Sequence, residues 1–175
     1  LGLPSARSRR LIRRRYAWET HKLGVNTPPI RTPHGWFTLY HAVGPDKFYR
    51  LGALLLDLED PSRVLHRTPD WLMQPETDYE LEGFYRGVCF PCGAGVIDGR
   101  LFVYYGAGDT YCAVATCDFA ALLRHLLACP ADEPDMGEQA PSSAAEAVDP
   151  AQVLPGAEAP GRADDKPSAP GLCGG

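Results

Sequence analysis

No run of apolar residues in the 175-residue chain approaches the roughly 20 positions that a membrane-spanning helix needs. Nor does any segment join a basic start and an apolar stretch to a small-residue cleavage site. Membrane spanning by helices and secretion are thereby set aside, and the cytoplasm is the expected compartment. Six cysteines, with Cys173 stranded near the end, are too few and too scattered for a disulfide scaffold, so reduced thiols are expected. Acidic residues are missing from residues 1–15, which hold six arginines, and aromatic residues are missing from residues 130–175. With no Met at its start, the chain reads as a piece of a longer protein.

Charge divides the chain in the same way. Residues 1–15 carry +6, residues 16–129 carry −4 and residues 130–175 carry −7. The last segment has 8 Pro, 6 Gly and 10 Ala among its 46 residues, too little apolar surface to offset the entropy of ordering it. It is expected to be a disordered acidic tail. The foldable part is then 16–129, which contains every Trp and every Phe of the chain.

Within that part the pattern is one of hairpins. Trp36 to Val43 and Tyr49 to Leu56 are aromatic and apolar runs about a loop that contains Gly44 and Pro45, a strand–turn–strand signal. Gly93 to Ile97 is followed by Asp98-Gly99 and then by Leu101 to Tyr105, the strongest short-range hairpin cue. A further strand is expected from Tyr111 to Thr116. Asp118 to Cys129 reads as a helix, with Asp118 as N-cap and Leu122, Leu123, Leu126 and Leu127 on one face. Both faces of Trp36 to Val43 and of Leu101 to Tyr105 are largely apolar, so these sheets should be covered on both sides. A β-propeller stacks four-stranded blades of roughly 40–45 residues in that manner. The expected fold class is therefore all-β, with about two and a half blades in residues 16–129 and one short helix after them.

Several side chains could carry chemistry. The Pro28-Pro29 loop is expected to place Lys22 on a rigid connection near the mouth of a blade and His41 lies near the end of the first hairpin strand, so the two could form an anion site with Tyr49 or Arg50 across the hairpin. The alternative is a solvated lysine and a hydrogen-bonded histidine. Cys89-Phe90-Pro91-Cys92 is a C-x-x-C, but it lies in a β context without a second pair at zinc spacing, which argues against redox or metal use. The Arg-rich residues 1–15 could meet nucleic acid or an anionic surface. Leu11, Ile12, Tyr16 and Trp18 interleave with them as in a strand, however, and the segment is read as the remnant of an upstream blade.

The motifs Lys22-Leu23-Gly24, Pro28-Pro29-Ile30-Arg31-Thr32, Gly35-Trp36, Tyr40-His41 and Tyr49-Arg50-Leu51-Gly52 continue through Leu56-Asp57-Leu58, Asp60-Pro61, Pro75-Glu76 and Tyr79-Glu80. Gly83, Phe90-Pro91, Gly93, Tyr104-Tyr105-Gly106-Ala107 and Asp109-Thr110 complete the series. Over about residues 16–127 this series resembles glycoside hydrolase family 130, and it is similar to the C-terminal part of that family's catalytic domain.

The resemblance implies a five-bladed propeller and inverting phosphorolysis of β-1,4-mannosides that gives α-mannose 1-phosphate. An inverting glycosidase uses two carboxylates, one of which activates water. Inorganic phosphate is already an anionic nucleophile, so a single acid and a cationic cradle suffice. By the same resemblance Lys22, His41 and Tyr49 bind phosphate, Phe90 walls the sugar pocket and Asp109 binds hydroxyls of the terminal mannose. The general-acid Asp and the phosphate-binding arginines are expected upstream of Leu1, so no catalytic residue is assigned within the chain. The chain alone is expected to be inactive. No cofactor or metal is expected; phosphate is a co-substrate, the β-mannoside is the other partner, and neither nucleic acid nor membrane is implied. Homo-oligomerisation is left open. The alternatives are a hydrolase of the same family and a non-catalytic fragment that binds sugar or protein.

Overall fold

A computed structural model describes residues 10–131. The expectation for the tail from residue 132 onward, and that for the first nine residues of the Arg-rich segment, lie outside the described residues. A 3₁₀ turn at Ala17–Glu19 precedes strands β1 (Lys22–Val25), β2 (Ile30–Thr32), β3 (Gly35–Val43), β4 (Tyr49–Leu56) and β5 (Val64–Arg67). A single turn of helix, α1 (Asp78–Leu81), leads to β6 (Cys89–Ile97), β7 (Arg100–Ala107), β8 (Tyr111–Asp118) and helix α2 (Phe119–Ala128). All pairings within sheets are antiparallel. β3 is bonded to β1 and β2 on one side and to β4 on the other, with β5 outside β4; β6, β7 and β8 form a second sheet.

The two expected hairpins are present. Asp98 and Gly99 both have positive φ, at 48° and 76°, the conformation that a two-residue turn between twisted strands requires. α2 begins where expected, for the Asp118 carboxylate accepts from Ala121 N–H at 2.6 Å. β1, β2, β5 and α1 have three or four residues each, too short for any periodicity to announce them. α1 nonetheless has a local signal in Thr77-x-x-Glu80. Glu80 Oε2 accepts the N–H groups of Thr77 and Glu76 at 2.9 and 2.8 Å, while Oε1 accepts from Tyr105 Oη at 2.6 Å.

Alternation along a strand separates the faces of the first sheet. Phe37, Leu39, Leu51, Ala53 and Leu55 pack with Leu101, Val103 and Tyr105 of β7 and with Leu126 of α2. On the other face Tyr40, Ala42, Leu54 and Leu56 pack with Trp18, and Leu11, Ile12 and Tyr16 lie against them. Residues 10–15 belong to no strand, so their apolar side chains cover the sheet face without joining a ladder. Coverage on both sides holds for β3 but not for β7. Tyr104 and Val114, register partners on the outer face of the second sheet, are 55% and 52% exposed. Among the described residues, α2 and the first sheet cover only the inner face.

One ionic group is wholly enclosed. Arg67 Nη2 and Glu19 Oε1 are 2.5 Å apart with side chains 1% and 0% exposed. Tyr40 Oη donates to the same carboxylate oxygen at 2.9 Å, and Glu19 Oε2 accepts from Arg15 and Tyr16 N–H. Arg67 Nη1 donates to Arg13 C=O at 2.8 Å, which ties residues 13–19 to β3 and β5. No helix of the described residues is long and apolar enough to cross a membrane.

Candidate functional site

The register of the first sheet gathers three candidate residues at one end. Lys22 pairs with Val43, Gly24 with His41, Val43 with Tyr49 and His41 with Leu51, so Lys22, His41 and Tyr49 share one face. Lys22 starts a strand and does not sit on the Pro-Pro connection, which comes after β1. Its Nζ donates to Tyr49 Oη at 2.5 Å and lies 5.2 Å from the centre of that ring. The hydrogen bond to Tyr49 holds the ammonium above its ordinary pKa, so Lys22 is a cation throughout the neutral range.

The second sheet supplies the fourth residue. Tyr49 N–H donates to Gly87 C=O at 2.8 Å, docking the start of β4 beside the start of β6. Phe90 of β6 then stands 4.8 Å from the His41 ring and 6.2 Å from the Tyr49 ring, with His41 and Tyr49 stacked at 5.6 Å. Tyr85 meets Tyr49 edge-on at 5.8 Å. Cation, imidazole and aromatic face thus adjoin one another. A cleft of ≈ 770 Å³ opens along Lys22 and His41.

Asn26 orients His41. Its Oδ1 accepts the His41 backbone N–H at 3.1 Å and stands 2.5 Å from Nδ1. An atom that accepts the backbone N–H is the amide oxygen, so Nδ1 carries the hydrogen and Nε2 of the neutral ring is an acceptor. A Cβ on Gly24 would lie 2.7 Å from His41 Cε1, so the ring occupies space that only glycine leaves. Burial first, and then the charge of Lys22, hold the His41 pKa below 6.5. Its neutral form therefore contributes stability that is complete above about pH 6.5 and is lost as pH falls through the folded value. A phosphate beside the ring favours imidazolium and should raise that pKa. We expect an NMR titration of the His41 ring to give a midpoint below 6.5 without phosphate and a higher one with it; an unmoved midpoint under saturating phosphate contradicts a shared anion site.

Asp109 is not among the residues that line this cleft. It occupies the β7–β8 turn with φ 56° and is exposed, as a turn residue that tolerates left-handed backbone. Gly108 C=O accepts Tyr85 N–H at 3.1 Å, so the turn is tied to the loop that carries Tyr85. Arg50 is on the opposite strand face from Tyr49 and holds Asp46 through two hydrogen bonds at 2.9 and 2.5 Å, which removes it as the partner of Lys22. In the C-x-x-C, Cys89 is buried and its thiol is pushed far up in pKa, mainly by burial, whereas Cys92 is exposed. That asymmetry is the reverse of a reactive pair. Asn26 and Tyr85 were not singled out by sequence reasoning, and Gly24 entered only within the Lys22-Leu23-Gly24 motif, because their roles depend on contacts between separate segments.

The chain matches the glycoside hydrolase family 130 sequence family, described as beta-1,4-mannooligosaccharide phosphorylase, over residues 5–126. It is 48% identical over 98 residues to a 1,2-beta-oligomannan phosphorylase of Thermoanaerobacter sp. (strain X514), covering 56% of this chain and 33% of that protein. It is 38% identical over 105 residues to a beta-1,4-mannooligosaccharide phosphorylase of Ruminococcus albus, covering 57% and 31%. Among solved structures, the beta-1,2-mannobiose phosphorylase of Listeria innocua in complex with beta-1,2-mannobiose aligns with TM-score 0.61 and 38% identity, over 65% of this chain and 32% of that one. The chain spans about a third of the length of these relatives.

Proposed function

The chain belongs to glycoside hydrolase family 130, and on that premise we propose that it forms the phosphate-cradling part of a β-mannoside phosphorylase. The observation that supports this reading best is the contact of Lys22 with Tyr49 beside His41 and Phe90. In the reaction, phosphate attacks the anomeric carbon of the terminal mannosyl unit and the bond to the departing sugar breaks with inversion, giving α-mannose 1-phosphate. Lys22 holds and orients the attacking anion without donating a proton that would quench it, given its raised pKa. His41, anchored by Asn26, sets the other side of the anion. Phe90 offers its ring to the pyranose, and Asp109 accepts hydrogen bonds from the terminal mannose hydroxyls. The general acid is assigned to the part of the family's length that this chain does not span. We read the two sheets as adjacent propeller blades within residues 16–129, and place the protein in the cytoplasm.

A hydrolase would need a carboxylate to activate water and would have no use for a lysine at the nucleophile, so Lys22 favours phosphate. The linkage has two readings. The sequence motifs suggest β-1,4, whereas relatives named for β-1,2 substrates are 42–48% identical and the β-1,4 relative is 38% identical. The test is to incubate the full-length gene product with β-1,2- and β-1,4-mannobiose, with and without inorganic phosphate. Release of α-mannose 1-phosphate from one of them is expected; mannose release independent of phosphate would support the hydrolase, and no turnover the binding fragment.

Asp109→Asn in that enzyme is expected to lower kcat/KM for the mannoside on the order of ten- to a hundred-fold, since one acceptor oxygen becomes a donor. The melting temperature should stay put, because a turn accepts Asn as readily as Asp. Efficiency within about twofold of the parent would reduce Asp109 to a turn residue.

A further inference from the structure

Glu80 does more than cap a four-residue helix. It is 3% exposed, and among the described residues no lysine, arginine or histidine pairs with its carboxylate. A charge so placed persists only where hydrogen bonds replace the water it has lost. Burial pushes its pKa up, but the N–H groups of Thr77 and Glu76 and the Tyr105 hydroxyl outweigh burial, and the group stays ionised. The cap uses Oε2 alone. Oε1 reaches across to β7, and the Cys89 thiol at the start of β6 lies close enough that the Glu80 charge, after burial, raises its pKa.

From this anchor, backbone bonds lead to the neighbours of Phe90 and Asp109. Glu80 C=O accepts Val88 N–H at 3.0 Å, and Val88 C=O accepts Gly108 N–H at 3.2 Å. Phe90 follows Val88 by two residues, and Asp109 follows Gly108 directly. The loop between α1 and β6 is fastened to the same turn, for Phe84 N–H donates to Thr110 Oγ1 at 3.0 Å beside the bond of Tyr85 to Gly108. Backbone meets backbone there: a Cβ on Gly83 would lie 2.2 Å from Gly108 C=O, an approach that only glycine permits. Lys22, His41 and Tyr49 are held by the ladders of the first sheet, which α1 does not join.

We infer that Glu80 is a positioning residue for the sugar side of the reaction: with Tyr105 it fixes the Asp109 turn against the start of β6, so that Asp109 and Phe90 keep one relative placement. The inference rests on the reading of Asp109 and Phe90 as the contacts of the mannoside. Being enclosed, Glu80 acts through these residues and not on the sugar.

Steady-state kinetics of the full-length gene product test it. Glu80→Ala is expected to raise KM for the mannoside about tenfold or more while KM for phosphate stays within about twofold, since a misplacement of about 1 Å can cost a hundredfold. Glu80→Gln should recover most of the loss, because glutamine closes the same cap and the tyrosine hydroxyl can turn to accept from its amide. Tyr105→Phe keeps the buried ring and should raise KM for the mannoside about threefold. Combined with Glu80→Ala it should add nothing, the two groups sharing one bond. A purely structural Glu80 would lower the melting temperature and turnover with both KM values unchanged. That result, or an equal rise in both KM values, overturns the inference. An unmoved mannoside KM in Tyr105→Phe overturns it as well, and that variant decides if Glu80→Ala does not fold. Asp109→Asn judges the sugar-pocket reading separately: a loss there with Glu80→Ala unmoved sinks this inference alone. If the parent turns nothing over, its affinity for mannobiose by calorimetry takes the place of KM.

Discussion

Arg67→Met is expected to destabilise the chain by about 3–5 kcal/mol, the usual penalty when one member of a buried ion pair is removed and the other stays charged. Glu19 is fully enclosed, and the lost guanidinium also bonds Tyr40 Oη and Arg13 C=O. A domain with roughly 5–15 kcal/mol in hand has little left after such a loss. The melting temperature should fall by about 10 °C or more, read by circular dichroism. Arg67→Lys should recover only part of it, because an ammonium cannot span three acceptors as the planar fork does. A melting point within about two degrees of the parent for Arg67→Met would mean that Glu19 is neutral in the fold and that the pair is not ionic.

Lys22→Ala in the full-length enzyme should raise KM for phosphate on the order of ten- to a hundred-fold while KM for the mannoside stays within about twofold. The asymmetry follows from position: Lys22 is exposed, bonded to Tyr49, and opens with His41 onto a cleft that Asp109 does not line. Lys22→Arg should restore charge without the geometry, leaving an intermediate defect. Removing an exposed side chain at the start of β1 leaves the core intact, so the melting temperature is expected to hold. An unchanged KM for phosphate would make Lys22 an ordinary surface cation and would favour the hydrolase.

Local chemistry determined much of the chain from its sequence alone. Asp98-Gly99 with its positive φ values, the Asp118 cap and the aromatic and apolar runs of β3 and β4 are decisions made within a few residues, where the backbone has few ways to satisfy itself. The ordered motifs from Lys22 to Thr110 likewise pointed to the family, since each can be recognised in a linear string. What the fold alone decided lies between segments. Glu19 meets Arg67 across 48 residues, Gly24 clears space for His41, and Phe90 crosses from the second sheet to His41. Such pairings depend on strand register, and a shift of one residue moves a side chain to the other face. That is why Arg50 and Tyr49, adjacent in the string and equally eligible there, ended on opposite faces of β4. Only Tyr49 faces Lys22.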